Sequence, residues 1–510
     1  MTKRESLVLA GLCLGGVAAV AARGGERPVL VVNEDNSHFF GSRTAEQMDL
    51  PGLQQFVDQY AGTAVTHLFL CPNAMRANFR SRARDAIWEP VGEKEPTGRW
   101  PSNAKLLHEQ GIDAYAIWID RCREQGISPW LSMRMNDVHN ADEPDNFMHS
   151  TFWRQHPELW RVPNSQTGAW TNRALNYAHA EVREYQMAFV AELLERYDPD
   201  GLELDWMRFG HHLTPGRERE EGHLLDEFVR RARALTDEWS AKRGHPIRLA
   251  VRVPAHPDAA AGLGMDGVAW AREGWVDWLV PCPFWASTDF DIPVELWRER
   301  LGEAAGKVLV TPGIEHNSRP WPGGKPVAND LASLAGFAAS AWQRGAGGIY
   351  LFNWMDCQTR PVSAAEYRTL LEQGLGRETV QTTARRHPVC YRDTVPAGFP
   401  NDAVLPMVGG GTCRIHLGPA PQTGSAWVVA GLVAGEELDQ AAFAATVNGV
   451  PATADTDLPD HAKLGGDSRR ALRFIVPPAA LADGYNTILI RPRPGSEPYK
   501  IVWLELRLEP

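Results

Sequence analysis

From residue 28 to about 375, short apolar runs alternate with longer stretches whose apolar positions recur every three or four residues, the pattern of successive strand-helix units. The runs cover 28–33, 66–71, 127–133, 201–206, 248–253, 276–281, 307–312 and 348–353. Between them lie amphipathic stretches such as Val182, Tyr185, Phe189 and Leu193, whose spacings of 3, 4 and 4 build one helical face. Others span 53–60, 115–123, 224–243, 294–305, 331–344 and 364–373. Eight strands, each followed by a helix, predict an α/β fold closed as a parallel (β/α)8 barrel of the TIM type. No GxGxxG follows the first run, so a dinucleotide-binding sheet loses its main support.

Two connections are long, about 55 residues between the second and third runs and about 70 between the third and fourth, where a few residues are usual. The second contains Phe147, Trp153, Trp160 and Trp170, which predicts a structured insertion at the strand ends. After Gly374 the periodicity changes to two, with runs at 426–429, 445–447, 472–476, 487–490 and 500–508 and the turn dipeptide Asn448-Gly449. Residues 385–510 therefore read as an antiparallel β-sandwich appended to a barrel over 24–380. At the other end, Lys3 and Arg4 precede an apolar stretch over 7–22 that closes on small residues before Arg23. Residues 1–23 read as a signal peptide, which predicts a secreted or periplasmic protein with no membrane association beyond export. Cys13 follows Leu12, too large for a good lipoprotein cleavage box. The remaining cysteines, 71, 122, 282, 357, 390 and 413, are scattered without CxxC, and Cys390 with Cys413 is the one pair considered for a bridge.

Composition narrows the partners. The 510 residues carry 52 Lys and Arg against 63 Asp and Glu, a net charge of −11, with no basic block to hold phosphate backbones or an anionic membrane. Nucleic acid is thereby excluded as an expected partner. Of the 46 aromatic residues 19 are Trp, which either stack on sugar rings or pack a core.

In such barrels the strand ends and the loops after them form the active site. The fourth run, GLELDWMRF, sets Glu203 and Asp205 two residues apart, so both point into the barrel while Leu202 and Leu204 face the helices. Arg208, Arg134 or Arg252 is available to neutralise them. The seventh run ends TPGIEHN, placing Glu315 and His316 on a loop across the barrel. Glycosidic cleavage needs two carboxyl groups flanking one bond, and Asp205 with Glu315 supplies them. Asp137, Asp289, Asp291, Glu34 and Asp35 are rivals for the second role. The other run ends offer Asn33 and His38, Asn73, Asn136 and His139, His256, Trp285, Asn353 and Trp354, a donor and acceptor set with aromatic faces suited to a hydroxyl-rich ligand. Trp285, Trp321 and Trp354 are the expected sugar platforms, and Arg134 or Arg252 would also read a carboxylate or sulfate on an anionic sugar.

His38, His139, His256 and His316 all follow odd-numbered strands, which makes a metal-dependent hydrolase an alternative. The first run lacks HxH, and tandem His211-His212 reads as a solvent loop, so no metal and no cofactor is expected. No GxSxG elbow is present.

The segments LNYAHAEVREY at 175–185 and DPDGLELDWMRF at 198–209 resemble the glycosyl-hydrolase-like barrel families of secreted bacterial proteins. The resemblance spans about residues 28–375, with its specific motifs in about 35 of them. It implies a TIM barrel acting on carbohydrate and matches Asp205 to the acid ending the fourth strand. Trp206 and Met207 depart from the more polar residues expected after that Asp. The C-terminal region likewise resembles β-sandwich domains that accompany glycoside hydrolases. The sequence thus predicts an exported glycoside hydrolase of a poly- or oligosaccharide, with a non-catalytic glycan-binding barrel as the other class.

Overall fold

The computed structural model describes residues 27–284, 287–354, 363–396, 401–433, 442–494 and 499–510. The expected signal peptide with Cys13, the expected platform Trp285, and Cys357 lie outside the described residues.

The first unit is an α/β structure around a curled, all-parallel sheet. Its strands are β1 Val29–Glu34, β2 His67–Leu70, β3 Ser128–Arg134, β4 Gly201–Asp205, β5 Arg248–Pro254, β6 Trp278–Cys282, β7 Leu309–Val310, β8 Gly313–Ile314 and, after a small hairpin of β9 Asn317–Ser318 with β10 Val327–Ala328, β11 Gly348–Phe352. The order across the sheet is β7-β6-β5-β4-β3-β2-β1-β11-β8. The two end strands are neighbours in the chain, separated only by Thr311 and Pro312. The sequence places one uninterrupted run at 307–312. It is instead broken at a proline, which has no N–H for a ladder but whose carbonyl accepts from Tyr350 N (3.2 Å).

The strands are buried on both faces, as parallel strands must be when helices cover one side. Val182, Phe189 and Leu193 on the helix Ala180–Arg196 are buried in the cluster between sheet and helices. A second cluster, Val31, Phe69, Trp130, Ala250, Trp278, Val280, Tyr350 and Phe352, fills the inner side. Phe69 and Trp130 stack at 4.8 Å there, and Trp278 meets both edge-on. Trp118, Trp130, Trp153, Trp206, Trp270, Trp278, Trp297, Trp354 and Trp503 are all fully buried, so much of the tryptophan surplus is core. The long connection after β3 is structured as expected: Trp153, on the short helix Thr151–Gln155, stacks on Trp160 at 4.7 Å, and a second short helix, Trp170–Arg173, follows.

The second unit is antiparallel. It comprises β12 Arg385–Pro388, β13 Met407–Val408, β14 Gly411–His416, β15 Ser425–Leu432, β16 Phe443–Val447, β17 Val450–Ala454, β18 Arg470–Val476, β19 Tyr485–Pro492 and β20 Lys500–Glu509. They run in the order β12-β20-β15-β18-β17-β16-β19-β14, with β13 also on β20. The turn between β16 and β17 is Asn448-Gly449, with φ of 51° and 82°, the left-handed pair a tight hairpin demands. Val428, Phe474, Ile488 and Leu504 lie in its core. Cys390 and Cys413 are both free thiols, correcting the considered bridge. Cys413 is buried in this core, whereas Cys390 lies against the Ser287 and Ser318 hydroxyls of the first unit.

The two units pack closely. Helix Leu331–Gln343 lies on β12 so tightly that a Cβ at Gly336 would stand 2.2 Å from the Arg386 carbonyl oxygen. Arg386 also joins Asp330 (2.6 Å) to the buried Glu505 (2.9 Å). Among the described residues, no helix is long and apolar enough to cross a membrane.

Candidate active site

Register places the polar side chains of the inner face in layers. Ser132, Glu203 and Ala250 are paired neighbours on β3, β4 and β5, and two residues later Arg134, Asp205 and Arg252 are paired in turn. Because side chains alternate, both rows face inward, the second nearer the strand ends.

Glu203 belongs to the lower row. Its Oε1 accepts from Ser132 Oγ (2.6 Å) and Tyr350 OH (2.8 Å), and Ser132 in turn accepts from Asn33 Nδ2 (3.2 Å). The other carboxyl oxygen, Oε2, has no hydrogen-bond partner and the residue is fully buried. Burial, with the neighbouring Asp205 charge adding to it, pushes the Glu203 carboxyl up to about 8.

Asp205 ends β4. Its Oδ1 accepts from Met207 N (3.0 Å), turning the chain out of the strand, and stands 3.0 Å from Arg252 Nε. That contact is within ion-pair distance, yet none of the three guanidinium nitrogens of Arg252 makes a hydrogen bond, since the N–H vectors do not aim at an oxygen. The guanidinium lies over the Phe352 ring, 3.4 Å from its centre.

Glu315 follows β8, and its main chain is clamped. Thr288 Oγ1 accepts from Glu315 N (3.3 Å), and Asn329 Nδ2 donates to Glu315 O (2.7 Å) and to Thr288 Oγ1 (2.8 Å). The β9–β10 hairpin carries Asn329 to this place, and Ser318 Oγ fixes its carboxamide (2.6 Å). The side chain is buried and Oε1 has no partner. Burial pushes the Glu315 carboxyl well above the ordinary carboxylate range; Arg252 opposes this, and Asp393 and Asp205 add to it.

Most rival acids are spent on other groups. Asp35 caps the helix Asn36–Ser42 and meets Arg134 (2.5 Å) and Arg208 (2.9 Å). Burial works against its charge, but the two guanidiniums hold its carboxyl well below the usual value. Asp137 accepts from Arg134 (2.6 Å) and His139 Nδ1 (2.6 Å). Asp291 pairs with Arg344 and Tyr485, and Glu34 accepts from Tyr60. Arg134, considered as a counterion for Asp205, is thus committed to Asp35 and Asp137. Asp289 keeps one buried oxygen unbonded, and burial pushes it up to about 6.

The polar residues expected on substrate divide. Asn73 bonds the main chain of Ala74 and Arg134, and Asn136 bonds that of Leu175, so both carboxamides fasten loops. His256 caps the helix Pro257–Gly262. His139 remains partly exposed, edge-on to Phe209 at 4.9 Å. His316 donates from Nε2 to the carbonyl of Asn353, and burial lowers it to about 4, so its imidazole is neutral. Asn353 adopts φ 55° at the end of β11 with a buried, unpartnered Oδ1. Trp354 is fully buried and does not offer the open face expected of it, whereas Trp321 is half-buried and packs against the antiparallel core. The tandem histidines are not a solvent loop: His212 is buried between Asn136 and the Trp206 carbonyl (2.7 Å).

Sequence reasoning missed Ser132, Tyr350 and Asp393. The first two were legible as inward positions of strands 3 and 11 by alternation; Asp393 lies beyond the expected barrel boundary and carried no signal. Among the described residues no group of three or more His, Cys, Asp and Glu is gathered as a metal site.

No family model matches the chain, and no curated protein matches it. Among solved structures it is similar to a GH36 α-galactosidase, AgaA, from Geobacillus stearothermophilus, at 14% identity and a TM-score of 0.35, over 95% of this chain and 56% of that one. It is similar to an α-L-fucosidase isoenzyme 2 from Paenibacillus thiaminolyticus at 11% identity and TM-score 0.43, over 71% and 51%. It is similar to a glycoside hydrolase family 18 N-acetylglucosaminidase from Paenibacillus barengoltzii at 12% and 0.36, over 68% and 100%. The chain therefore spans about half the length of the first two structures.

Proposed function

We propose that the parallel sheet closes through the broken seventh strand as a (β/α)8 barrel, that residues 385–510 form a β-sandwich, and that the protein is a secreted glycoside hydrolase of a poly- or oligosaccharide. The observation that carries the reading is the pairing of two unlike carboxyl groups around Arg252: Asp205 against the guanidinium, and Glu315 buried with a bare oxygen. A carboxyl kept in its acid form beside a second carboxyl that can attack is what acid-assisted glycoside cleavage requires.

In this reading Glu315, held protonated, gives its proton to the glycosidic oxygen as the bond to the leaving sugar breaks. Asp205 attacks the anomeric carbon and forms a glycosyl ester. Glu315, now ionised, takes a proton from water, whose oxygen attacks that carbon and releases Asp205. Glu203, one row below, stays protonated and hydrogen-bonded and holds the floor beneath Asp205.

The experiment is turnover on a panel of polysaccharides and aryl glycosides, comparing wild type with Asp205→Asn, with and without chelator. Reducing ends released by wild type alone, regardless of chelator, is the expected result. Glycan binding without product favours a non-catalytic barrel. Activity lost in chelator favours a metal-dependent hydrolase, and activity surviving in Asp205→Asn removes Asp205 from the chemistry.

A further inference from the structure

The segment after β12 touches residues that follow several strands of the parallel sheet. Cys390 lies beside Ser287, in the loop after β6, and Ser318, on β9 just after β8, and Arg392 stands 3.8 Å from Asp289, also in the loop after β6. Asp393 accepts the main-chain N–H of Phe284 on both oxygens (2.8 and 3.0 Å). Thr394 and Pro396 press on glycines after β4 and β5: a Cβ at Gly210 would stand 3.2 Å from Thr394 Cγ2, and one at Gly262 2.7 Å from Pro396 Cγ. The loops after four strands thus receive one strap.

What the strap holds is the aromatic side of the mouth. Phe284, fastened through its N–H, packs with Trp170 (5.2 Å) and Phe209 (5.5 Å), and Trp170 meets Phe209 at 5.2 Å. Trp170 comes from the insertion after β3 and is partly exposed. It is thus an aromatic side chain partly open to solvent, which the buried Trp354 is not.

We propose that residues 389–396 form a wall of the active-site mouth and that Asp393, supplied from outside the barrel, is a positioning residue that fixes the aromatic side through Phe284 and sets the field at Glu315. The inference rests on the glycoside hydrolase reading for its substrate class. The charged groups facing Glu315 are Arg252 and Arg208, which favour its ionised form, and Asp393 and Asp205, which oppose it; the Cys282 thiol is also close and is held neutral by burial. Removing the Asp393 charge while keeping its shape must therefore ease ionisation of Glu315.

The test compares Asp393→Asn and Asp393→Ala in the full chain, reading kcat/KM against pH on the best substrate of the panel. Asparagine still accepts the Phe284 N–H, so the expected result is an alkaline limb displaced to lower pH with KM within about twofold of wild type. Alanine should move the limb likewise and also raise KM, by roughly tenfold for a disordered stacking wall. A purely structural Asp393 would leave the limb of the asparagine variant in place, which overturns the proposal. If wild type turns over nothing, the reading of function fails separately. The infrared carboxylic acid band that disappears in Glu315→Gln, followed against pH in wild type and Asp393→Asn, then decides the same point without substrate. An unmoved titration there overturns it.

Discussion

Arg252 and Asp205 are direct register partners on β5 and β4, both facing the inside of the sheet, with Nε 3.0 Å from Oδ1 and the guanidinium lying on Phe352. The pair is a buried cation and anion whose donors are otherwise unsatisfied, a costly arrangement for stability alone.

Arg252→Gln should therefore do more than lower activity. It leaves Asp205 buried without its cation, and loss of one partner of a buried pair costs about 3–5 kcal/mol. Urea denaturation at neutral pH reads this directly; a midpoint equal to wild type would show that the guanidinium is not what makes Asp205 tolerable.

Glu203 makes stability depend on pH in a defined sense. Its folded value, near 8, lies above the ordinary value of 4.5, so the folded state keeps a proton that the unfolded chain releases. Its favourable contribution is complete below about 4.5 and is lost as pH rises through about 8. Glu203→Gln, which keeps a neutral amide among Ser132 and Tyr350, should flatten that fall. Denaturation midpoints collected from pH 5 to 9 test it, and parallel curves for the two proteins would refute the assignment.

Glu315→Gln should separate substrates by leaving group. Without a proton donor, cleavage of poor leaving groups should fall about 10²- to 10⁴-fold, while activated aryl glycosides are spared. The alkaline limb of the wild-type profile, where Glu315 ionises as pH rises, should disappear in the variant. Equal losses on both substrate types would assign the acid role elsewhere, with Asp289 the next acid to examine.

Gly336→Ala tests the packing of the two units. Its Cβ would enter the Arg386 carbonyl at 2.2 Å, so helix Leu331–Gln343 and β12 must separate. A cost of about 1–3 kcal/mol, seen as a lowered calorimetric transition and faster proteolysis between the units, is expected. A variant with the wild-type thermogram would mean that the helix shifts freely.

Period and alternation belong to the chain itself, so residues alone determined much of this protein. The spacing of apolar runs located the parallel strands, and GLELD put Glu203 and Asp205 on one side because side chains in a strand alternate without regard to context. Asn448-Gly449 specified its hairpin for the same local reason. Depth and partnership were decided only by tertiary structure. Glu203 and Asp205 look alike in sequence, yet one row of register sets the first among hydroxyls and the second against a guanidinium. Asp35 lost its candidacy to Arg134 and Arg208, which come from other strands, Asp137 lost its own to Arg134 and His139 of the same loop, and Asn73 and Asn136 were claimed by main chain. Burial is a property of everything that surrounds a group: it left Trp354 closed and raised Glu315, and no window of sequence around either residue contains the atoms responsible. Asp393 is the extreme case, nearly eighty residues from Glu315 in the chain and brought to the same mouth by a strap whose path only the packed units define.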